Sequence, residues 1–292
     1  MAGTTKESLS NSTISIAHPW KRPFWSPAKG KAAVLLYLVL IHGLAVIGLV
    51  IFPLPSLRIF GITLLFVCLG GLGTTAGYHR ALAQRAVKLN RMVQQVLIFF
   101  AIFNGSGAPA SWVAYHRRHH STTDTPADIS SPKYGGFWWA HLRWLYQSER
   151  ADVRHWSPDL DKGIYKVWTY AEAPILLISL LWGAFFGWPG FFWMGAIRLV
   201  YSLHMQCFVN SLTHLGHSED GDSSQNVWWL GPFQMAAWGE NWHRNHHSNP
   251  GSARFGLRWW QIDIGWYFLC TLERVGLARD VRRPRLAGVA RQ

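Results

Sequence analysis

Apolar residues are concentrated in four long stretches of the chain. The first two, Ala32–Pro53 and Ile59–Tyr78, carry no formal charge over about 20 residues, the length that an α-helix needs to cross the hydrocarbon core of a bilayer. The third and fourth lie at about residues 171–188 and 191–210, on either side of Pro189-Gly190, which predicts a tight turn. The pattern therefore predicts four membrane-spanning helices. Arg198 falls inside the fourth, and we expect it to face the bundle or reach the interface.

A fifth, weaker apolar stretch runs from Met92 to Ala110. It contains two glutamines, an asparagine, two glycines and a proline. This composition favours an interfacial or partly buried helix over a fifth span. If the stretch did span, the histidines on its two sides would lie in different compartments and could not meet.

Composition gives the spans an orientation. The chain has 292 residues, 49% of them hydrophobic and 15% charged, with a formal net charge of +13. That charge suits a nucleic-acid binder or a membrane protein with a basic cytoplasmic face. Of 28 lysines and arginines, only Arg58 and Arg198 fall outside the proposed inner segments, so the charge is explained by topology, and we expect no nucleic-acid partner. The three cysteines have no spacing that would indicate a disulfide scaffold.

This orientation divides the chain into a tail, a domain and a second tail. Residues 1–30 are predicted to be a disordered, basic, cytosolic tail, and residues 286–292 a short second tail. Residues 31–285 form one membrane domain, whose cytosolic cap comprises residues 79–170 and 211–285. Both termini are expected on the cytoplasmic side of a multi-pass membrane protein. Four cationic residues near the inner surface either bind phosphate or only set the topology: Lys21, Arg22, Arg85 and Lys88.

Eight of the 14 histidines follow a pattern. Two triplets share the spacing i, i+3, i+4, which places three imidazoles on one face of a helix; they are His116, His119 and His120, and His243, His246 and His247. Asn210 and His214 lie at i, i+4 where the fourth span reaches the inner surface, and His79 lies at the inner end of the second. Four parts of the chain are thus predicted to bring histidines to the same side of the membrane.

This many imidazoles indicates metal. Imidazole binds iron, zinc, copper and nickel, and eight exceed what one tetrahedral ion uses, so two ions are predicted, most economically iron used with O2. One triplet alone would more often be a solvated basic patch, but two copies favour the metal. The histidines without a partner at ligand spacing are expected in surface or packing roles: His18, His42, His155, His204 and His217.

These motifs resemble the membrane-bound fatty-acid desaturases, specifically the acyl-CoA Δ9-type branch. The first histidine box of that family, H-R-x-x-x-H, matches His79-Arg80, but Gln84 stands where the family has its second histidine. The two triplets match the second and third boxes, and Asn210 to His214 matches N-S-x-x-H. Segments 124–144 and 259–263 extend the similarity to nearly the whole chain.

The resemblance implies an all-α integral membrane protein with four transmembrane helices and a cytosolic helical cap that holds two irons. It implies one iron at His79, His120, His214, His243 and His247. It implies a second iron at His116, His119, His246, Gln84 and, through water, Asn210. We also expect His141 and Asp128 to orient ligands from behind, and Trp112 to contact substrate. Gln84 either ligates directly or through water, weakens the second iron, or leaves a protein that does not desaturate.

The activity implied is O2-dependent formation of a cis double bond in a long acyl chain, carried as a thioester and most simply as acyl-CoA. No CxxC, haem or flavin motif is present, so an external donor is expected, a ferredoxin, a rubredoxin or cytochrome b5. The sequences at Asp128-Ile129-Ser130 and 104–107 depart from the family pattern and leave the head group open. The alternatives are an acyl hydroxylase or acetylenase, or a metal-binding membrane protein without catalysis.

Overall fold

The computed structural model describes residues 18–217, 221–230 and 238–284, and these residues are mostly helical. The main helices are α1 (Ala32–Ile51), α2 (Leu57–Leu72), α3 (Arg91–Phe103), α4 (Pro109–Thr122), α5 (Ile164–Leu181), α6 (Arg198–Thr213), α7 (His243–Ser248) and α8 (Ile264–Arg274). Shorter helical segments are Pro19–Lys21, Gly73–Ala83, Pro132–Gly135, Trp139–Arg143, Trp144–Gln147, Val153–Trp156, Trp182–Phe186, Gly187–Gly190 and Phe191–Ile197. Strands β1 (Lys88–Leu89) and β2 (Ala278–Arg279) pair antiparallel.

Three continuous helical stretches are long and apolar enough to cross a membrane: Ala32–Ile51, Leu57–Ala83 and Ile164–Thr213. The third has 50 residues and would be about 75 Å long if straight, but it folds back on itself. A side chain added at Gly195 would collide with the carbonyl of Leu180, so α5 and the helix that leads into α6 lie side by side. The third stretch therefore contains two antiparallel arms.

The reversal between these arms is not where the sequence predicted it. Pro189 and Gly190 are helical, within Gly187–Gly190, and the tight turn expected there is wrong. The chain reverses one turn earlier, through Trp182–Phe186 and Gly187, which has φ +75°. Proline is tolerated in the first turn of a helix, where its missing N–H has no intrahelical acceptor, so Pro189 begins the second arm.

The second stretch extends past the predicted end at Tyr78. Residues Gly73–Ala83 continue α2 as a π-helix, in which the N–H of residue 84 donates to the carbonyl of His79 at 3.0 Å. The wider turn fits closely against α3, because a side chain added at Gly73 would collide with the carbonyl of Leu97. This extension carries His79 and Gln84 into the cap.

Arg198 faces the bundle, one of the two outcomes expected for it. Its side chain is fully buried, and Nε donates to the carbonyl of Met194 at 2.7 Å. The two terminal nitrogens donate to the carbonyls of Phe103 and Ser179, and to the side chains of Asn104 and Ser179. All five donors are satisfied without a carboxylate, so the cation ties the end of α3 to α5 and α6.

Helix α3 is too short to be a span. It covers 13 residues, or about 20 Å, which is less than the roughly 30 Å of a hydrocarbon core. The rings of His79 and His116, which precede and follow α3, lie 4.4 Å apart. The alternative in which α3 separates the histidines into two compartments is therefore wrong.

The segment before α1 is ordered from residue 18 onward, against the prediction of a disordered tail to residue 30. Trp20 packs edge-on against Trp139, with 5.9 Å between ring centroids. Gln147 donates to the carbonyl of Pro23 at 2.6 Å, and the N–H of Ala28 donates to Tyr146 at 2.8 Å. Aromatic and amide contacts with residues 139–147 hold this segment in place. The composition of the segment itself does not indicate this order. Residues 1–17 and 286–292 lie outside the described residues.

Candidate metal centre

Eight histidines from four parts of the chain meet in the cap as two groups of four. The first group is His79, His116, His120 and His246, and the second is His119, His214, His243 and His247. Within each group, one nitrogen of every ring lies within 4.8 Å of the others. Helices α4 and α7 each contribute to both groups, since their i, i+3, i+4 spacing directs one face toward two neighbouring points.

In the first group the Nε2 atoms converge. His79 Nε2 lies 3.1 Å from His246 Nε2, which in turn lies 2.9 Å from His120 Nε2. His116 completes the group, and its Nε2 lies 2.8 Å from Nε2 of Gln84. Four histidines and the Gln84 amide thus lie together in the first group.

In the second group, His243 is central. Its Nε2 lies 2.9 Å from Nε2 of His214 and 3.1 Å from Nε2 of His247. The fourth member, His119, has a buried Nε2 with no hydrogen-bond partner among the described residues. One nitrogen from each of the four imidazoles therefore lies close to those of the other three.

Carboxylates fix the orientation of four rings from behind, through Nδ1. In the second group His119 donates to Asp128 at 2.9 Å, His214 to Asp124 at 3.1 Å and His247 to Asp222 at 3.2 Å. In the first group His79 has such a partner, Glu240, at 2.6 Å, and no other ring of this group has one within the part of the chain that the structure describes. A proton held on Nδ1 leaves Nε2 with its lone pair directed inward, the usual arrangement behind a metal-binding histidine.

This arrangement fits two metal ions. Carboxylates hold the Nδ1 protons of His214 and His247, so both rings direct an Nε2 lone pair toward His243 Nε2 across about 3 Å. A proton on His243 Nε2 could satisfy only one of these two contacts, whereas a shared metal ion would satisfy both. Two nitrogens bound at right angles to one ion at about 2.1 Å would themselves be about 3 Å apart. Each group therefore has the donor type and spacing of a metal site.

Burial keeps these rings in their ligating form. It lowers the pKa of His116, His120, His243 and His246 well below the ordinary value, and neighbouring histidines lower it further. Burial likewise lowers the pKa of His247 to about 4. These five rings are neutral near pH 7, and only neutral imidazole can bind metal. Burial also lowers the pKa of His119, but the charge and the hydrogen bond of Asp128 outweigh it and raise that pKa.

Position 84 is held firmly at the first group. Arg117 on α4 donates to the carbonyls of Leu82 and Ala83, at 2.9 and 3.2 Å, and to Asp159 at 2.6 Å. Asp159 also pairs with Arg85 at 3.0 Å. Both neighbours of Gln84 are thus clamped to the cap. The two ends of the amide are exchanged by a half-turn of its terminal bond, which would direct Oε1 toward the same point.

The division of ligands implied by the resemblance differs from the grouping that the structure shows, and it stays a prediction. It placed His79 and His120 with His214, His243 and His247, whereas both belong to the group of His116 and His246. It placed His119 with that first group, whereas His119 belongs to the second. Residues at i and i+4 on α4 point to one group and the residue at i+3 to the other, so sequence spacing alone could not divide them.

Asn210 on α6 and His141 in the cap were expected beside the metal ligands, but their direct contacts are with other groups. Asn210 Nδ2 donates to the carbonyls of Ser130 and Ala140, at 2.9 and 2.6 Å. His141 is buried and lies 2.9 Å from Ser211 Oγ and 2.8 Å from His204 Nδ1, not against any of the eight ligand candidates. Asp128, by contrast, contacts His119 directly.

His42 and His204, for which no partner was expected, are hydrogen-bonded to each other. Their Nε2 atoms are 3.0 Å apart, and Nδ1 of His42 donates to the carbonyl of Leu38 at 2.7 Å. Together with His141 and Ser211 they form a linear chain from α1 to the cap. Each ring uses opposite nitrogens, so the chain does not converge on a point and is not a metal site.

Trp112 lies beside the first group. Its ring stacks on His116 at 5.1 Å and 15°, and lies 5.7 Å from the ring of Tyr78.

Two of the four cationic residues considered for phosphate binding have protein partners. Arg85 pairs with Asp159, and Lys88 pairs with Asp280 at 2.8 Å.

Three carboxylates of the centre were missed in the sequence: Asp124, Asp222 and Glu240. Glu240 is also bound by Arg80, at 3.2 Å, and Arg80 binds Asp263 at 2.9 Å. Arg80 and Asp263 are buried, so this network joins the first histidine box to the segment that precedes the third. The available signal was Glu240 standing three residues before His243, but no periodicity directs it toward His79.

Comparison with known proteins agrees with this geometry. The family model for fatty acid desaturases matches residues 56–267. Delta-9 acyl-lipid desaturase 2 of Arabidopsis thaliana is 37% identical over 253 residues, covering 84% of this chain and 80% of the relative. The sn-1 stearoyl-lipid 9-desaturase of Synechocystis sp. is 34% identical, covering 76% and 70%. Acyl-CoA 5-desaturase AL21 of Anemone leveillei is 39% identical, covering 76% and 71%. The chain belongs to the fatty acid desaturase family and is an oxidoreductase.

Proposed function

We propose that this enzyme is an O2-dependent di-iron desaturase that introduces a cis double bond into a long acyl chain. The observation that carries the proposal is the pair of four-histidine groups, in each of which Nε2 atoms of different rings lie about 3 Å apart. The overall reaction removes two hydrogens from adjacent methylenes and, with two external electrons and two protons, reduces O2 to two waters.

The two groups would each hold one iron. Gln84 would complete the first site and Asn210, through water, the second. Bound iron would supply the oxidising power toward unactivated C–H bonds that no side chain has. The protein's residues keep the imidazoles neutral, fix their orientation through carboxylates, and exclude water by burial.

The acyl chain would reach the centre beside Trp112. This ring already packs on His116 and Tyr78, so one of its edges is available to a methylene chain that passes the first group. Each buried methylene contributes about 0.8 kcal/mol, so a long chain can be held largely by its tail. His141 would act indirectly, because it supports α6 at Ser211, next to Asn210.

We further propose four membrane spans, with both termini and the cap in the cytoplasm. The two arms of Ile164–Thr213 would provide the third and fourth spans. Electrons would come from a ferredoxin, a rubredoxin or cytochrome b5. An acyl thioester, most simply acyl-CoA, would be the substrate, although relatives with acyl-lipid names make a complex lipid the competing candidate.

The test is a lipid profile of a desaturase-deficient host with and without the gene, combined with metal analysis of the purified protein. A new cis alkene and two irons per chain are expected. His243→Ala should abolish formation of the product and lower the iron content. His155→Ala, an exposed histidine outside the two groups, is the matched control and should change neither.

The alternatives give different results in the same experiment. An oxygenated acyl product without a new alkene would replace desaturation by hydroxylation, and a triple bond formed from an existing alkene would indicate an acetylenase. Gln84 is the observation that favours a metal-binding protein without catalysis; zero or one iron per chain with an unchanged lipid profile would support it.

A further inference from the structure

Four of the exposed tryptophans on the cap lie in two adjacent pairs. Trp228 and Trp259 are 69% and 91% exposed, and their neighbours Trp229 and Trp260 are each 46% exposed. Ile262 adds a further exposed apolar side chain. We call these five residues the tryptophan patch. Large exposed apolar patches on a folded surface mark a place where something binds.

The two pairs are fixed to one short segment, so they form one surface. The N–H of Val227, just before the first pair, donates to the carbonyl of Asn241 at 2.9 Å. Trp242, the next residue, packs edge-on against Trp260 at 5.4 Å, and its indole N–H donates to Ile262 at 2.8 Å. The patch therefore rests on the same segment that begins α7 and its three ligands.

The patch continues onto the outer face of α8. Ile264 and Tyr267 are exposed there, while Leu269 and Leu272 on the inner face pack with Ala76 of the α2 extension. The α2 extension is the cap-side end of a candidate span. Helix α8 therefore lies at the level where that span leaves the hydrocarbon core. The neighbouring helix α3 exposes Met92 and Val96, which extend the apolar surface.

Exposed cations flank this surface. Arg258 immediately precedes the second pair of tryptophans, Arg274 ends α8 and Arg91 begins α3; none of them forms an ion pair within the described ranges. Tryptophan is enriched at the boundary between lipid and water, and unpaired arginine beside it favours anionic head groups. A transient redox partner would instead meet a smaller and more polar surface.

We propose that the tryptophan patch and the outer face of α8 bind the interface of a bilayer that contains anionic lipid, and so attach the cap to the membrane independently of the spans. The proposal rests on the membrane topology given under the proposed function. Such an attachment keeps the third histidine box at a fixed height above the lipid, since the patch and α7 share the segment Asn241–Trp242.

The experiment uses an environment-sensitive fluorophore on single introduced cysteines in the full chain, with Cys68→Ser and Cys270→Ser as background. Trp259→Cys tests the patch. Leu36→Cys, on the exposed face of α1, reports the spans, and Ala127→Cys reports an exposed site elsewhere on the cap. The protein is placed in phosphatidylcholine vesicles with and without phosphatidylglycerol, and quenching by nitroxide lipid and by aqueous iodide is measured.

We expect the label at 259 to be quenched by nitroxide lipid severalfold more than the label at 127, and to be shielded from iodide. Arg258→Glu should reduce that quenching in vesicles with phosphatidylglycerol and leave it unchanged in pure phosphatidylcholine. If the label at 36 is quenched by lipid while the label at 259 behaves like that at 127, the attachment is wrong and the spans stand. If the label at 36 is not quenched either, the proposed topology itself fails.

One outcome would assign the patch to a protein partner. In that case the label at 259 is open to iodide in vesicles but becomes shielded when a ferredoxin or cytochrome b5 is added. That result would overturn attachment to lipid.

Discussion

The two histidine groups contain the same number of imidazoles but differ in what holds them. In the second group three of four rings donate to a carboxylate, at Asp124, Asp128 and Asp222. In the first group Glu240 alone plays this part, for His79, and Gln84 stands on the inner side beside His116. The two sites, each built from both copies of the histidine motif, therefore differ in how many of their rings a carboxylate holds.

The difference has consequences for metal binding. A carboxylate behind an imidazole fixes its tautomer, limits its rotation and raises its basicity, and losing one typically costs 10–100-fold in metal affinity. We therefore expect the second group to bind its ion more tightly than the first. Gln84, which stands where the family has a histidine, belongs to the group with fewer carboxylate partners. The first site is therefore expected to bind metal less tightly for two reasons.

The largest expected effect comes from removing one ligand of each group in turn. His116→Ala and His119→Ala alter two residues of α4 that lie three positions apart and belong to different groups. Each variant should lose desaturation entirely and retain about one iron per chain, because only one site is broken. Metal analysis and product analysis measure this.

Loss of both irons in either variant would mean that the two groups form a single cooperative site, and the expectation that they bind iron separately would be wrong. His155→Ala provides the histidine control on the cap surface.

The next effect concerns the carboxylates. Asp128→Asn leaves His119 without its charged partner and should lower the affinity of the second site by about 10–100-fold, with the first site unchanged. Chelator competition resolves the two sites. Asp161→Asn, which alters a partly exposed pair with Lys166, is the matched control and should leave both affinities unaltered. An equal loss at both sites would indicate general unfolding.

Gln84→His should have a smaller effect, of opposite sign. An imidazole at a position already clamped by Arg117 and Asp159 should raise iron retention at the first site by about tenfold, or about 1.4 kcal/mol. The second site should not change. Unaltered retention in chelator competition would show that the amide of Gln84 is already an adequate ligand.

The smallest effect is expected from the linear histidine chain. His42→Phe removes the 3.0 Å contact with His204 and should lower stability by about 0.6 kcal/mol, the average for a hydrogen bond between membrane helices. Iron content should remain at the parent value, since this chain does not converge. Thermal unfolding in detergent and metal analysis together test the distinction; a loss of iron would place the chain in the centre.

The sequence by itself determined the residue types and their faces. Runs of uncharged residues located the apolar helices, and the spacing i, i+3, i+4 identified six of the eight histidines, because helix periodicity is a local property. His79 and His214 followed from their positions at the inner ends of two predicted spans, and the interest of position 84 followed from the resemblance of short motifs. The prediction that α3 is not a span followed from its polar residues.

Only the tertiary structure decided which residues meet. The division of ligands into two groups, the carboxylates Glu240 and Asp222, and the pairing of His42 with His204 all join positions far apart in the chain. The order of residues 18–30 depends on Trp139 and Gln147 in the same way. Local pattern specifies the face that a side chain occupies, whereas its partner depends on how helices pack, and packing is a property of the whole chain.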